Sequence, residues 1–150
     1  LRNALQQVAS DYDYIFIDCP PSLGLLTVNA LCAAECVVVP LQCEFYALEG
    51  LSQLMRTINM VRQGLHKDLV VQGIVLTMYD SRNKLSEMVA NDVRSHFGKL
   101  VYTTVIPRNV RISEAPSFGQ PVLIYDLKCA GAQAYVALAA ELLSQEKEAA

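Results

Sequence analysis

The residue best placed for chemistry in this 150-residue sequence is Asp18, which directly follows the apolar run Tyr14-Ile15-Phe16-Ile17. A continuous apolar run without alternation is typical of a strand buried on both faces in a parallel sheet. A carboxylate at the end of such a strand is costly unless it meets water, a cation or a hydrogen-bond donor. In phosphate-binding α/β proteins an acid at this position supports Mg²⁺, often through a water. The competing interpretation is a turn or helix-capping aspartate.

Hydrophobic patterning around Asp18 predicts alternating strands and helices. The pattern predicts strands at 14–17, 36–39, 69–78 and 101–106, and helices at 2–10, 23–34, 47–64, 85–97 and 130–145. Pro40 and Pro107 close two of the strands, and residues 108–126 are expected to be mostly loop. Such alternation predicts a single α/β domain over residues 1–150, with a mostly parallel sheet and helices on both faces.

In sheets of this kind ligands lie beyond the carboxyl ends of the strands. The informative positions are therefore the segments that follow each predicted strand. These are Asp18-Cys19-Pro20-Pro21, Pro40-Leu41-Gln42, Met78-Tyr79-Asp80 and Pro107-Arg108-Asn109.

Charge is distributed unevenly along the chain, whose 12 basic and 15 acidic residues give a net charge of −3. Nine basic and four acidic residues lie between Gln53 and Arg111, against three and eleven in the rest. A basic middle can hold a local footprint for a polyanion that the global charge hides, and the alternative is a set of solvated helix faces. Five cysteines without a Cys-x-x-Cys pair fit a reducing compartment.

Several phosphate-binding and hydrolase motifs do not occur in this sequence. Gly-x-x-x-x-Gly-Lys-[Ser/Thr], Gly-x-Gly-x-x-Gly and Gly-x-Ser-x-Gly are all absent, and the one Gly-Lys pair, Gly98-Lys99, precedes a predicted strand. The chain begins at Leu1 inside an amphipathic segment. We therefore expect a fragment whose phosphate cradle lies on chain before Leu1.

Four blocks in order, YDYIFIDCPPSLGLLTVNAL, VVVPLQCEFYALEGLSQL, GIVLTMYDSRNKLS and VIPRNVRISEAPSFGQPVLIYD, resemble the ParA/Soj chromosome-partitioning ATPases. The resemblance runs from Leu1 to about Leu143. It implies a P-loop NTPase-like fold of the SIMIBI type, with its N-terminal part missing here.

The resemblance also implies roles for individual residues at the nucleotide. Asp18 would support Mg²⁺ through water in the Walker B segment, and Cys19, Pro20 and Pro21 would belong to switch II. A second group would surround the adenine of ATP, namely Met78, Pro107 and Asn109. A thioether and a flat proline ring suit the faces of a purine. The alternatives are core packing for Met78 and simple strand termination for Pro107.

The same resemblance implies an ATP-dependent homodimer that binds double-stranded DNA without sequence preference. The matching basic positions are Arg82 and Arg111, with Lys84 and Arg108 close by in sequence. Nonspecific binding needs only neutralisation of phosphates. The alternative is that Arg82 and Arg111 pair with local acids such as Asp80 and Glu114.

The implied function is chromosome or plasmid partitioning by Mg²⁺-dependent ATP hydrolysis, with a ParB-type partner and a cytoplasmic, nucleoid-associated location. The C-terminal helix carries Glu141, Glu146 and Glu148 against Lys147, the wrong sign for anionic lipid, so no membrane partner is expected. Without a P-loop the chain alone is expected to be inactive. The alternative function is a truncated, non-catalytic paralogue that binds DNA or a partner.

Overall fold

The structure, a computed structural model, describes residues 1–20 and 24–149. The helices are α1 (Arg2–Leu5), α2 (Leu25–Ala33), α3 (Ala47–Gly64), α4 (Lys84–Phe97), α5 (Val110–Glu114), α6 (Val122–Tyr125) and α7 (Ala130–Ala149). The strands are β1 (Cys36–Gln42), β2 (Val70–Tyr79) and β3 (Val101–Pro107). Short 3-10 turns occupy Ala9–Asp11, Gly98–Leu100 and Ala115–Phe118.

The strands form a sheet in the order β1-β2-β3, with helices α3 and α4 as the connections. Strands β2 and β3 run parallel, with Ile74 opposite Val101 and Tyr79 opposite Pro107. Hydrogen bonds from Val70 N to Glu35 O and from Cys43 N to Thr77 O rise together in residue number along β1 and β2, as in a parallel pair. The predicted α/β class with a parallel sheet is confirmed.

Strand β2 is buried on both faces of the sheet, and this burial explains its continuous apolar sequence. Ile74, Val75 and Leu76 are consecutive, so they point to alternate faces of the sheet, and their side chains are 0%, 3% and 0% exposed. Both faces of the strand are therefore covered, as expected for a parallel sheet.

The predicted strand at 14–17 is wrong in this structure. The segment is extended but is not assigned to a strand, and Phe16 is 87% exposed. A strand that is apolar on both faces needs hydrogen-bonding partners on its edges and cover on its faces. Within residues 1–20 and 24–149 the paired strands are β1, β2 and β3, and none of them takes this segment as a neighbour.

Other element boundaries differ from the sequence prediction in smaller ways. Strand β1 continues through Pro40 to Gln42, because it lies at the edge of the described sheet, where a missing N–H can be tolerated. The predicted helix at 2–10 is reduced to α1 and a 3-10 turn. Residues 108–126, expected to be mostly loop, contain α5, α6 and a 3-10 turn.

The chain divides into two compact units. The first unit comprises Leu1–Val38 and Glu49–Gln72, and the second comprises Val39–Leu48 and Gly73–Ala150. The first unit has a core formed by Leu31, Ile58, Val61 and Leu69, with α2 and α3 contributing most of its side chains.

The second unit has its core around Val75, Tyr102 and Ile106. Helix α7 covers this core with Ala134, Leu138 and Leu142, and α5 adds Ile112. Helix α7 is further fixed to β3 by Glu141, whose carboxylate accepts hydrogen bonds from Thr103 N and Thr104 N at 2.6 and 2.8 Å. The polar and apolar contacts together fix helix α7 against strand β3.

Candidate functional site

The candidate site lies in the second unit, beyond the carboxyl ends of the strands. A cavity of about 510 Å³ opens there. It is lined by Cys43, Glu44, Phe45, Met78, Asp80, Asn83, Leu85, Ser86 and Arg108. Met78 lies at the end of β2, and the other residues follow β1, β2 or β3 or belong to the start of α4. The cavity therefore occupies the position at which parallel α/β sheets bind ligands.

Met78 lines this cavity with an unusual backbone conformation. Its φ is +53°, in the left-handed region that side chains other than glycine rarely adopt. The register between β2 and β3 also shifts between Leu76 and Tyr79. Irregular strand ends and strained backbone occur preferentially beside functional sites, where they aim a side chain. Met78 is therefore a cavity residue at a locally distorted strand end.

Pro107 and Asn109, the other two residues predicted to contact the nucleotide, flank the cavity residue Arg108 in sequence but do not line the cavity. Pro107 ends β3 opposite Tyr79 and is half-buried. Asn109 is the N-cap of α5, and its side-chain oxygen accepts a hydrogen bond from Arg111 N at 2.9 Å. The structure thus places Met78 in the cavity, and it gives Asn109 a structural role at a helix start.

Sequence reasoning missed the part of the cavity that follows β1. Cys43, Glu44 and Phe45 come directly after the true end of β1, but the prediction ended that strand at Pro40. The rule that ligands lie beyond strand ends would have selected them if the predicted strand, 36–39, had been extended by three residues to Gln42. Burial, opposed in part by the charge of Arg94, raises the pKa of the Cys43 thiol, which is 2% exposed.

Arg108 connects the loops that follow β1, β2 and β3. Its guanidinium lies 3.7 Å from the carboxylate of Glu44. Its backbone N–H donates to Tyr79 O at 2.9 Å. One side chain of the predicted DNA-binding set therefore also lines the cavity.

Arg82 makes a bidentate ion pair with Asp80 in the loop after β2. Its Nε and Nη2 atoms donate to the two carboxylate oxygens, each at 3.0 Å. Hydrogen bonds from the Arg82 side chain and backbone hold the pKa of Asp80 at about 2. The Arg82 side chain is still 87% exposed.

Arg111 is held by two carboxylates near the start of α5. Its Nη1 lies 2.9 Å from Glu114, and its Nε lies 3.5 Å from Asp126. The Tyr125 hydroxyl donates to the same Glu114 carboxylate at 3.3 Å. The local pairing that the sequence left open for Arg82 and Arg111 is thus present for both.

Lys84 differs from these arginines. It is the exposed first residue of α4, whose N-cap is Asn83. Among the ion pairs of residues 1–20 and 24–149, none includes Lys84.

Asp18, Cys19 and Pro20 lie in the first unit. Asp18 is exposed in the extended segment before α2, and Cys19 donates its thiol hydrogen to Ile17 O at 3.7 Å. Pro20 is also exposed, and Pro21 lies outside the described residues. Mg²⁺ is commonly bound by one or two carboxylates together with substrate phosphates and waters. A single solvent-accessible carboxylate fits that mode.

Among residues 1–20 and 24–149, no group of three or more His, Cys, Asp or Glu side chains converges on a metal-binding arrangement. In the same part of the chain no helix combines the length and apolar character needed to cross a bilayer.

Comparison with solved structures defines the class first. The chain superposes on cobyrinic acid a,c-diamide synthase from Mycobacterium smegmatis, solved with bound ADP and magnesium, with a TM-score of 0.79 and 39% identity. The match covers 99% of this chain and 54% of that one. The parallel sheet, its crossover helices and this likeness give the chain the fold of the α/β P-loop NTPases.

Sequence comparison identifies similar proteins. A family model described as an AAA domain matches residues 1–71. The chain is 65% identical over 150 residues to the chromosome partitioning protein ParA of Caulobacter vibrioides, covering 99% of the chain and 56% of that protein. It is 55% identical over 142 residues to the sporulation initiation inhibitor protein Soj of Bacillus subtilis, covering 95% and 56%. The chain is thus similar to ParA and Soj proteins over nearly its whole length, and it spans about half the length of these relatives.

Proposed function

We propose that the chain acts in chromosome or plasmid partitioning as the DNA-contacting and magnesium-supporting portion of a ParA-type ATPase. In this proposal ATP hydrolysis requires Mg²⁺ and a nucleotide-dependent homodimer, and a ParB-type protein is the partner. Binding to DNA would place the protein on the nucleoid. The names of its relatives support the partitioning role, because ParA and Soj proteins match nearly the whole chain.

The observation that carries the DNA-binding proposal is the grouping of four basic side chains in the second unit. Arg82 and Lys84 follow β2, and Arg108 and Arg111 follow β3. Since β2 and β3 are neighbouring parallel strands with Tyr79 opposite Pro107, both loops leave the same edge of the sheet. Exposed cations without base-reading geometry suit phosphate neutralisation, which is insensitive to sequence.

The cavity supports the nucleotide part of the proposal. Its volume of about 510 Å³ lies within the range of about 300–1,000 Å³ that is usual for small-molecule sites. The Met78 thioether offers a polarizable surface for a purine face, and Pro107 lies at the adjoining strand end. We assign Asn109 a positioning role, because its side chain already caps α5.

Asp18 would hold Mg²⁺ through water. When bound, the ion would neutralise charge that develops on the transferred phosphoryl group. The contribution of this chain is an accessible carboxylate in an extended segment, with the Cys19-Pro20-Pro21 sequence following it as the proposed switch II.

A titration of DNA tests the central assignment. Two unrelated 30-base-pair duplexes are titrated with the chain by fluorescence anisotropy at several salt concentrations, for the parent and for Arg82→Ala/Arg111→Ala. We expect weaker binding to both duplexes and a salt slope that is smaller by about 2, because each arginine that is removed leaves one phosphate without its cation.

The matched control is Arg56→Ala/Arg62→Ala, which removes two exposed arginines from α3 in the first unit. It changes the net charge by the same amount but leaves the loops after β2 and β3 intact. Equal losses in the two double variants would contradict the assignment, as would an unchanged affinity of the loop variant.

A second candidate function is a DNA- or partner-binding module without turnover. It is favoured by the lack of a Gly-x-x-x-x-Gly-Lys-[Ser/Thr] segment within the 150 residues. A single-turnover assay with γ-labelled ATP, made on the protein purified from its native source, separates the candidates. Phosphate release well above the buffer rate would reject the module, whereas DNA binding with release at the buffer rate would favour it.

A further inference from the structure

Every arginine of the proposed DNA surface is engaged by a carboxylate of the same unit. Arg82 pairs with Asp80, Arg108 with Glu44, and Arg111 with both Glu114 and Asp126. A cation whose charge is already offset attracts a phosphate less strongly, because the carboxylate repels the same phosphate. The acids therefore belong to any account of DNA affinity.

The pair between Asp80 and Arg82 has the most restrictive geometry of the three. Two side-chain hydrogen bonds of 3.0 Å hold the guanidinium, and Arg82 N donates a third to Asp80 Oδ1 at 3.0 Å. The Asp80 side chain is only 23% exposed, while that of Arg82 is 87% exposed. The acid is anchored against the protein and the arginine lies over it, facing solvent.

Arg111 is restrained from two directions. Glu114 lies on its own helix, three residues on, and Asp126 follows α6. Both carboxylates have further hydrogen bonds, Glu114 from the Tyr125 hydroxyl and Asp126 from Lys128 N. A phosphate that approaches Arg111 must compete with two acids that are themselves fixed in place.

We propose that Asp80, Glu114 and Asp126 restrain Arg82 and Arg111 and so set the DNA affinity of this surface below the value its cations alone would give. The proposal rests on the proposed function, in which these arginines contact DNA phosphates. The acids act here as positioning residues, since they contact the arginines and not the DNA.

The test is neutralisation of the acids with the side-chain shape retained. Asp80→Asn keeps the oxygen that accepts from Arg82 N, and we expect it to bind a 30-base-pair duplex roughly two- to fivefold more tightly at 25 mM NaCl, the factor given by the usual strength of an exposed ion pair. Asp80→Asn/Glu114→Gln/Asp126→Asn should gain about tenfold or more if the contributions multiply. The gain should shrink as salt screens the charges.

A double-mutant cycle tells a restraint on Arg82 from a general change in charge. If Asp80 acts through Arg82, the gain from Asp80→Asn disappears in the Arg82→Ala background. The matched control is Asp92→Asn, which removes an exposed acid from α4 in the same unit without touching these ion pairs. It should give a smaller gain than Asp80→Asn, and thermal unfolding of each variant checks that the fold is intact.

The possible results have distinct meanings. A gain that depends on Arg82 supports the proposal. If Arg82→Ala weakens binding but Asp80→Asn leaves it unchanged or weaker, or gives the same gain without Arg82, the restraint is rejected while the DNA-binding assignment stands. If Arg82→Ala and Arg111→Ala leave binding unchanged, the DNA assignment itself fails and the restraint fails with it.

Discussion

Two apolar segments of the chain have similar sequences and opposite environments. Residues 14–17 form no strand in the first unit, and Tyr14, Ile15 and Phe16 are exposed, whereas the middle of β2 in the second unit is almost completely buried. Both are runs of β-branched, aromatic or aliphatic residues. The difference is that β2 has a paired strand on each side, and the 14–17 segment has none among the described strands. Apolar composition marks a segment that can be buried, and the available partners decide whether it is.

The change in unfolding free energy should differ most between truncations of one side chain in each of the two segments. Ile74→Ala should lower the free energy of unfolding by about 2–5 kcal/mol, because Ile74 is 0% exposed and its removal leaves a cavity. Phe16→Ala should change it by less than about 0.5 kcal/mol, because the ring is mostly in solvent. Urea unfolding followed by circular dichroism measures both. A large loss from Phe16→Ala would mean that the 14–17 segment is packed in solution.

A smaller effect is expected at Gly73, where β2 meets the ring of Tyr102. A Cβ on Gly73 would collide with that ring, which is 1% exposed. Gly73→Ala should therefore cost about 1–3 kcal/mol of unfolding free energy through overpacking. Gly50→Ala, in helix α3 with nothing near its added Cβ, is the control and should stabilise the protein by about 0.5–1 kcal/mol. Equal effects at the two glycines would show that the contact with Tyr102 relaxes freely.

The smallest predicted change in unfolding free energy comes from Glu141, and this change depends on pH. Burial raises the pKa of this carboxyl, but hydrogen bonds from Thr104 and Thr103 outweigh burial and leave the pKa below its usual 4.5. The folded state thus prefers the charged form, so its contribution to stability is present above the unfolded pKa and is lost as pH falls through the folded value. Glu141→Gln should cost about 1 kcal/mol at pH 7.

The measurement is urea unfolding of the parent and of Glu141→Gln from pH 7 down to pH 3. The difference between them should narrow below about pH 4.5, the usual glutamate range. Asp92→Asn, an exposed acid on α4, should show no comparable narrowing. A constant difference over the whole range would show that the carboxylate charge is not what holds α7 to β3.

Much of the fold follows from the sequence because its signals are local. The run LVVQGIVLTM, the break at Gly98 and the proline after VYTTVI each mark an element that the structure contains. The errors arose where a local signal needed a distant condition. Pro40 did not end β1, since an edge strand tolerates the missing N–H, and the strand predicted at 14–17 did not pair.

The sequence named some of the residues that line the cavity and missed others. Met78 and Arg108, predicted for the nucleotide and for DNA respectively, both line it, and the true end of β1 adds Cys43, Glu44 and Phe45. The basic residues after β2 and β3 were visible in the sequence. Their pairing with Asp80, Glu114 and Asp126 was open until side-chain positions were known.

The α/β class, the order of most elements and the likeness to ParA and Soj proteins could be predicted from the sequence, because periodicity, chain breaks and strand-end motifs depend on neighbouring residues. The folded arrangement was needed to show which apolar runs pair, which side chains line the cavity and which acids contact the arginines. Those outcomes depend on segments far apart along the chain meeting within a few ångströms, as when Asp126 reaches Arg111 or Glu141 reaches β3.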